Sequence, residues 1–514
     1  MPEHLRALVV ILAVAAAVFA FAKAPACAAA ATAADFERRR NLWFAITLAA
    51  FLAHNFWVYI LLVAVMLAFA AAREPNKLAM YFLLLFALPP ISAQITGLGV
   101  VEHLFTIHYV RLLALAVLLP AYLYLRKQPD TERFGRTLPD KLIVAYLILQ
   151  FFMQLRADTL TNSLRHGVLY GFLDVFLPYY VASRSLRNLA QFRDVLMAFA
   201  TAALVLSAIG CFEFAKRWLL YSALDEALGE PWGSGSFLER AGTLRALAST
   251  GQPIVLGYVL AVAISFFVFT RKLVPNRTVW NLGLLLLTAG LIASLSRGPW
   301  LGAAVMLVLF IATGPSPGRG FAKLALTCAV GLPLLLLTPL GDKFVDLLPF
   351  VGAVDDFNVT YRQRLLQISF QLIMQDFLFG SIDYLASPAM QELMQGQGII
   401  DVVNTYLGIT LSSGVVGLSL FLGFFITIAA GIWRGMRRMQ DVNDERYLLG
   451  RILLCTLLGI LVIIFTVSSI SFVPVVYWSV AGLGVAYARM LATASAPNAA
   501  QPTRFRPAGM KASA

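Results

Sequence analysis

The stretch GDKFVDLLPFVGAVDDFNVTYRQRLLQISFQLIMQDFLFGSIDYLASPAMQELMQGQGIIDVVNTYLGITLSSGVVG, residues 341–417, lies between two long apolar segments and decides how the chain reads. Nearly everything else is an apolar run or a short loop, whereas this stretch is long, polar in patches and carries an amphipathic helix of its own. On that helix Arg362, Leu366, Phe370, Ile373 and Phe377 fall on one stripe and Arg364, Gln367, Gln371 and Gln375 on another. Arg362 sits on the apolar stripe with no acidic residue one turn away. Such an arginine either snorkels to lipid headgroups or awaits an anionic ligand, and its helix alone does not separate the two.

Composition fixes the class. Apolar residues make up 60% of 514 and charged residues 13%, and the apolar residues come in long runs. Runs of about 20 apolar residues are bilayer-spanning helices. The expected architecture is an all-α polytopic membrane protein with about 12–14 transmembrane helices and one large outward loop containing an amphipathic helix. A net charge of +13 would suggest nucleic acid for a soluble chain, but here the cations cluster in loops between apolar runs and nucleic acid is excluded as a partner. The four cysteines and five histidines form no disulfide framework or metal-ligand spacing, and no metal or cofactor is expected. No histidine lies beyond His166.

Residues 1–40 read as a signal-like segment or an extra helix, and the run 41–72 as one long helix or two broken near His54-Asn55. Apolar spans follow from 77–93 and 104–125 onward, filling an amino-terminal bundle over 41–340. The loop 341–405, closing helices over 406–492 and a disordered tail at 493–514 complete the chain. Alternate loops are basic, among them Arg126 to Lys141, Arg184 to Arg193 and Arg434 to Arg446. The positive-inside rule places these in the cytoplasm and puts 341–405 outside.

That topology leaves arginines on the disfavoured side, including Arg156, Arg165, Arg245, Arg297, Arg362 and Arg364. Arg297 lies in SLSRGPWLG, residues 294–302, a short turn between two spans. Ser296 as an N-cap and Pro299 in the first turn explain the turn but not the arginine. A guanidinium beside a helix N-terminus is a ready anion site. Asp174, an acid within a span, is either functional or the partner of an arginine such as Arg111.

Four stretches, LRALASTGQPIVLGYVLA at 244–261, SLSRGPWLG at 294–302, YRQRLLQISFQLIMQDFLFG at 361–380 and VVNTYLGITLSSGVVGLSLFLGFF at 402–425, resemble successive landmarks of the O-antigen ligase and O-antigen polymerase superfamily. The resemblance covers residues 180–480. It implies a metal-independent glycosyltransferase of the bacterial inner membrane, with a periplasmic active site. The implied partners are an undecaprenyl-diphosphate-linked oligosaccharide, membrane lipids and other polysaccharide export components. Arg297 matches the family's first outward arginine and Arg362 its second, with Arg364 a close competitor. Where the family has Gly-His-Pro this chain has Gly251-Gln252-Pro253, and where ligases carry His-Asn it has Val403-Asn404. The missing histidine points to an exopolysaccharide polymerase-like member rather than a lipopolysaccharide ligase.

The reaction leaves a diphosphate whose negative charge grows in the transition state, so cations must meet it. Arg297 and Arg362 are the expected clamp, with Asp401 the expected general base and Asp383 its competitor. Arg156, Arg165, Arg245, Gln252, Arg364, Gln397 and Asn404 are the expected substrate-binding set. A lipid-linked glycan flippase is the rival, but it should show two similar halves and charges through the full membrane depth, and no internal repeat is evident. A non-enzymatic export scaffold is a third reading.

Overall fold

The computed structural model describes residues 1–97, 99, 103–230, 239–240, 242–337, 356–394, 398 and 400–494. Of the residues singled out above, Gln397 lies outside these, as does most of the tail. Among the described residues nine helices are long and apolar enough to cross a membrane, from Glu3–Ala29 to Phe472–Thr493, with shorter apolar helices at Arg277–Ala293 and Arg297–Ala312. The protein is an all-α polytopic membrane protein.

The amino-terminal segment is built into this bundle. The Glu3–Ala29 helix buries Ala7, Ile11, Ala15, Phe19 and Ala22, and packs along Leu189–Lys216. Alanine on that face lets the two backbones approach closely. The run 41–72 is two helices, because His54 adopts a left-handed φ of 51° and Asn55 caps the next helix by accepting from the Trp57 and Val58 N–H groups.

Two apolar runs do not fold as whole spans. Residues 77–93 form a helix only over Lys77–Leu84, and 104–125 begins as a strand. Between them Ser92–Thr96 pairs antiparallel with His103–His108. Pro89-Pro90 stops the first helix, and the Ile- and Thr-containing segments then suit a strand pair. Arg165 clamps this hairpin through the carbonyls of Leu104 and His103 and the side chain of Asn162.

Several loop cations are buried cross-links rather than solvated charges. Arg39 is 2% exposed and bonds both Glu74 and Asp194 at 2.7 Å. Arg184 pairs with Asp140, which also accepts from the Tyr179 hydroxyl. Arg111 grips both oxygens of Asp174 and stacks 3.4 Å over the Tyr170 ring, which gives Asp174 its partner role. Buried ions paired in this way are costly to separate.

The carboxy-terminal half turns on a broken helix. Thr405–Arg437 is interrupted at Gly414, where φ is 65° and ψ −169°. The segment 377–381 enters the break. Val415 N–H donates to the Phe377 carbonyl at 3.0 Å, Val416 N–H to Leu378 at 3.2 Å, and Ser381 N–H to Leu411 at 2.8 Å. The backbone groups freed by the break are therefore satisfied by protein, as an apolar environment requires. The preceding helix, Asp356–Gln375, packs Leu365 and Ile368 against Met390, Leu393 and Leu411. Its stripe of Leu366, Phe370 and Phe377 is exposed instead. The sequence offers two apolar registers on this helix, and the one through Leu365 is the packed one. Arg362 lies at the seam between the two.

A Cβ at Gly414 would stand 2.1 Å from the Leu378 carbonyl oxygen, and one at Gly380, with φ 64°, 2.4 Å from that of Leu411. Gly414→Ala and Gly380→Ala are each expected to cost about 3 kcal/mol or more. Gly331→Ala, on a helix with nothing within 4 Å, is expected to be neutral. Thermal unfolding of the detergent-solubilised variants, followed by size-exclusion chromatography, checks this.

Candidate functional site

The short turn Ser294–Leu295–Ser296 joins the helices Arg277–Ala293 and Arg297–Ala312. Leu295 holds a left-handed φ of 46°, a strained conformation for a leucine. Ser296 occupies the N-cap position, but its hydroxyl does not cap. It donates to the Ser294 carbonyl at 3.0 Å and accepts from Arg245 Nη2 at 2.9 Å. The capping role expected for Ser296 is thus replaced by a contact to a cation.

Arg245 also donates to the Ser294 carbonyl through Nε at 3.3 Å, and Arg240 donates to the Leu295 carbonyl at 2.7 Å. Arg240 and Arg245 thus both bond the turn from which Arg297 opens the next helix. No carboxylate bonds Arg245 among the described residues. Burial, with the neighbouring charge of Arg240, pulls its pKa down to about 10, so it remains a cation at neutral pH. A half-buried arginine bonded only to neutral acceptors is electrostatically unfinished.

The loop that delivers Arg245 is itself held by a buried carboxylate. Glu213, fully buried at the end of Leu189–Lys216, accepts from the N–H groups of Leu220, Leu247 and Ala248 at 2.8–3.1 Å. Ala248 is another residue at positive φ. Glu213 thereby ties Leu220 to Leu247 and Ala248, while Arg217 nearby pairs with Glu239.

A second wall comes from residues 400–406. The Asp401 carboxylate accepts from the Ser468 hydroxyl at 2.7 Å. The Tyr361 hydroxyl accepts from Asp401 N–H and donates to its carbonyl, both at 3.1 Å. The Asn404 side-chain oxygen caps the following helix by accepting from the Tyr406 and Leu407 N–H groups. Thr405 donates to the Val467 carbonyl at 2.7 Å.

The turn 465–471 joins the two walls. Gly298 lies so close to Thr466 that a Cβ there would stand 2.2 Å from its hydroxyl, and two residues on is Ser468 with Asp401. Gln252, exposed at the head of Pro253–Phe269, joins them because Gly257 of its helix abuts Ser294 and Pro299. Helices beginning at Pro253, Arg297, Thr405 and Phe472 all present their N-termini at this end. Their dipoles add positive potential to that of the arginines.

The remaining candidates separate by their contacts. Arg362, next to Tyr361, is exposed and has no partner among the described residues, whereas Arg364 is held by Glu392 at 2.6 Å. Arg156 stands 3.7 Å from Asp376, at the foot of the same helix. Arg165 directs its guanidinium contacts to the hairpin and Asn162, so it is not part of the turn. Asp383 is exposed in a short 3-10 turn. No three metal-ligating groups converge among the described residues.

Residues 282–422 match the family described as O-antigen ligase. This match supports membership of the O-antigen ligase superfamily. The matched segment of this O-antigen ligase-like protein holds Arg297, Arg362, Arg364, Asp401 and Asn404, and the Gly414 break. Arg245, Gln252 and Glu213 lie ahead of it. Among curated proteins none matches the chain.

Sequence reasoning missed Glu213, Ser468 and the role of Tyr361. Glu213 carries a signal, being an acid at the end of an apolar run, but the exposed Lys216 and Arg217 beside it give that run the pattern of an ordinary solvated helix end. Glu213→Gln leaves one carbonyl oxygen where a carboxylate serves three N–H groups. It is expected to destabilise the protein by about 1–3 kcal/mol and to lower activity through Arg245. The melting curve, read beside turnover, checks both effects.

Proposed function

We propose that this membrane glycosyltransferase polymerises repeat units of an exported polysaccharide. The donor is a glycan on undecaprenyl diphosphate, and the reaction takes place at the periplasmic face of the bacterial inner membrane. The observation that carries the reading is a carboxylate and cations around one turn: Asp401 is held by Ser468, two residues from Thr466, and Thr466 abuts Gly298 next to Arg297, while Arg245 bonds Ser296. An acceptor hydroxyl attacks the anomeric carbon of the donor, the new carbon–oxygen bond forms, and the bond to the diphosphate breaks. Asp401 takes the hydroxyl proton. The electron pair leaves with the diphosphate, whose charge meets Arg297, Arg245 and the exposed Arg362.

Arg362 is favoured over Arg364 because Arg364 is already committed to Glu392. The amides of Gln252 and Asn404 are left to bind neutral sugar hydroxyls, and Arg156 lies at the far end of the 356–375 helix as a peripheral contact. A polymerase is favoured over a ligase because no histidine exists beyond residue 166 to serve as the ligase-type residue. A flippase is disfavoured because no internal repeat is evident in the sequence, whereas a flippase should show two similar halves.

Purified protein supplied only with lipid-diphosphate repeat units is expected to make chains. Arg297→Lys and Arg362→Lys should fold but lose about a hundredfold in rate, since lysine lacks the two-pronged planar contact. Asp401→Asn should lower turnover with little change in donor binding. Product that forms only when lipid A–core is added, joined to that core, replaces the polymerase reading with the ligase one.

A further inference from the structure

At the end of the bundle that carries the basic loops, a cavity of about 670 Å³ opens beside the helix Tyr109–Lys127. Its floor is aromatic. Tyr122 and Tyr180 stand 4.9 Å apart by ring centroids, Phe134 and Phe176 5.1 Å, and Phe134 and Tyr180 5.9 Å. Arg184 reinforces that floor, lying 5.2 Å from the Phe134 centroid and 5.3 Å from that of Tyr180.

The rim is cationic. Arg126, Lys127 and Arg133 are exposed and have no ion-pair partner among the described residues, against one lining carboxylate, Glu132. Nearby acids are committed elsewhere: Asp140 to Arg184, and Asp130 lies 3.9 Å from Arg187. A second cavity at this end, of about 440 Å³, also carries arginines, Arg434, Arg438 and Arg446. It has no aromatic lining residue, however, and it holds two carboxylates, Asp441 and Asp444, the latter held by Arg446 at 2.8 Å.

Leu123 and Tyr124, on the same helix as the rim, are 49% and 60% exposed, and Leu138 is 56% exposed. These apolar side chains beside a cationic, aromatic-floored hollow match an amphiphile, with a charged head and hydrocarbon chains. They do not match a soluble anion, which has no use for the apolar strip. We propose that this cavity binds the phosphate ester of an anionic phospholipid in the adjacent leaflet, the headgroup against Arg126, Lys127 and Arg133 and the acyl chains along Leu123 and Leu138. The site is remote from the Arg297 turn and independent of the reaction proposed there.

The test uses full-length protein in detergent and a photoactivatable phosphatidylglycerol, with cross-linked peptides mapped by mass spectrometry. Label is expected on the peptide spanning 122–134, displaced by unlabelled phosphatidylglycerol but not by phosphatidylcholine or millimolar inorganic phosphate. Arg126→Gln with Arg133→Gln should reduce it about thirty-fold, as loss of two cations near an anionic lipid implies. Arg126→Lys with Arg133→Lys should retain it, which separates lost charge from lost fold. Undiminished labelling of the glutamine variant, or equal competition by phosphatidylcholine, overturns the proposal. Displacement by inorganic phosphate overturns the lipid source and leaves a site for soluble phosphate esters.

Discussion

The interlock between Gly380 and Gly414 is the constraint on which the carboxy-terminal half depends. A helix broken within an apolar protein exposes backbone groups that water cannot reach, and each carries a cost of several kcal/mol if left unpaired. Here the chain supplies its own partner, the segment 377–381, whose carbonyls and N–H groups fill the gap at 411–416. The two backbones approach so closely that neither glycine has room for a side chain. The amphipathic helix is therefore anchored at its foot rather than hanging from a loop. Its other end brings Tyr361 onto the backbone of Asp401.

Two populations of arginine follow from the same electrostatics. At the basic end of the bundle Arg39 and Arg184 are buried against carboxylates and act as cross-links. At the opposite end the half-buried Arg245 bonds a serine hydroxyl and a carbonyl, with another arginine beside it. Like charges placed side by side repel, and an anion arriving beside Arg245 would relieve the repulsion from Arg240. The left-handed conformations at Ala248 and Leu295 store strain in the same turns.

Much of the fold was legible because long apolar runs and alternating basic loops each follow from bilayer physics. The β-hairpin was not, since a short apolar run has the same composition as a strand or as half a helix. The break at Gly414 was hidden for a related reason: glycine is common in membrane helices, and only its contact with Leu378 shows that this one is forced. Within the site, Arg297 and Arg362 stood out because a cation on the disfavoured side of a membrane is costly. Ser468 and Glu213 could not stand out. Ser468 meets Asp401 across 67 residues and Glu213 meets Leu247 across 34, separations that no local pattern records.

The central claim is that one turn and one anchored helix together receive a diphosphate. A cryo-electron microscopy map of the protein with undecaprenyl diphosphate bound tests it most directly. The account expects the diphosphate against Arg297 and Arg245, with Arg362 reaching it from the helix above Asp401. A diphosphate bound elsewhere, with those arginines turned to lipid headgroups or solvent, would contradict it.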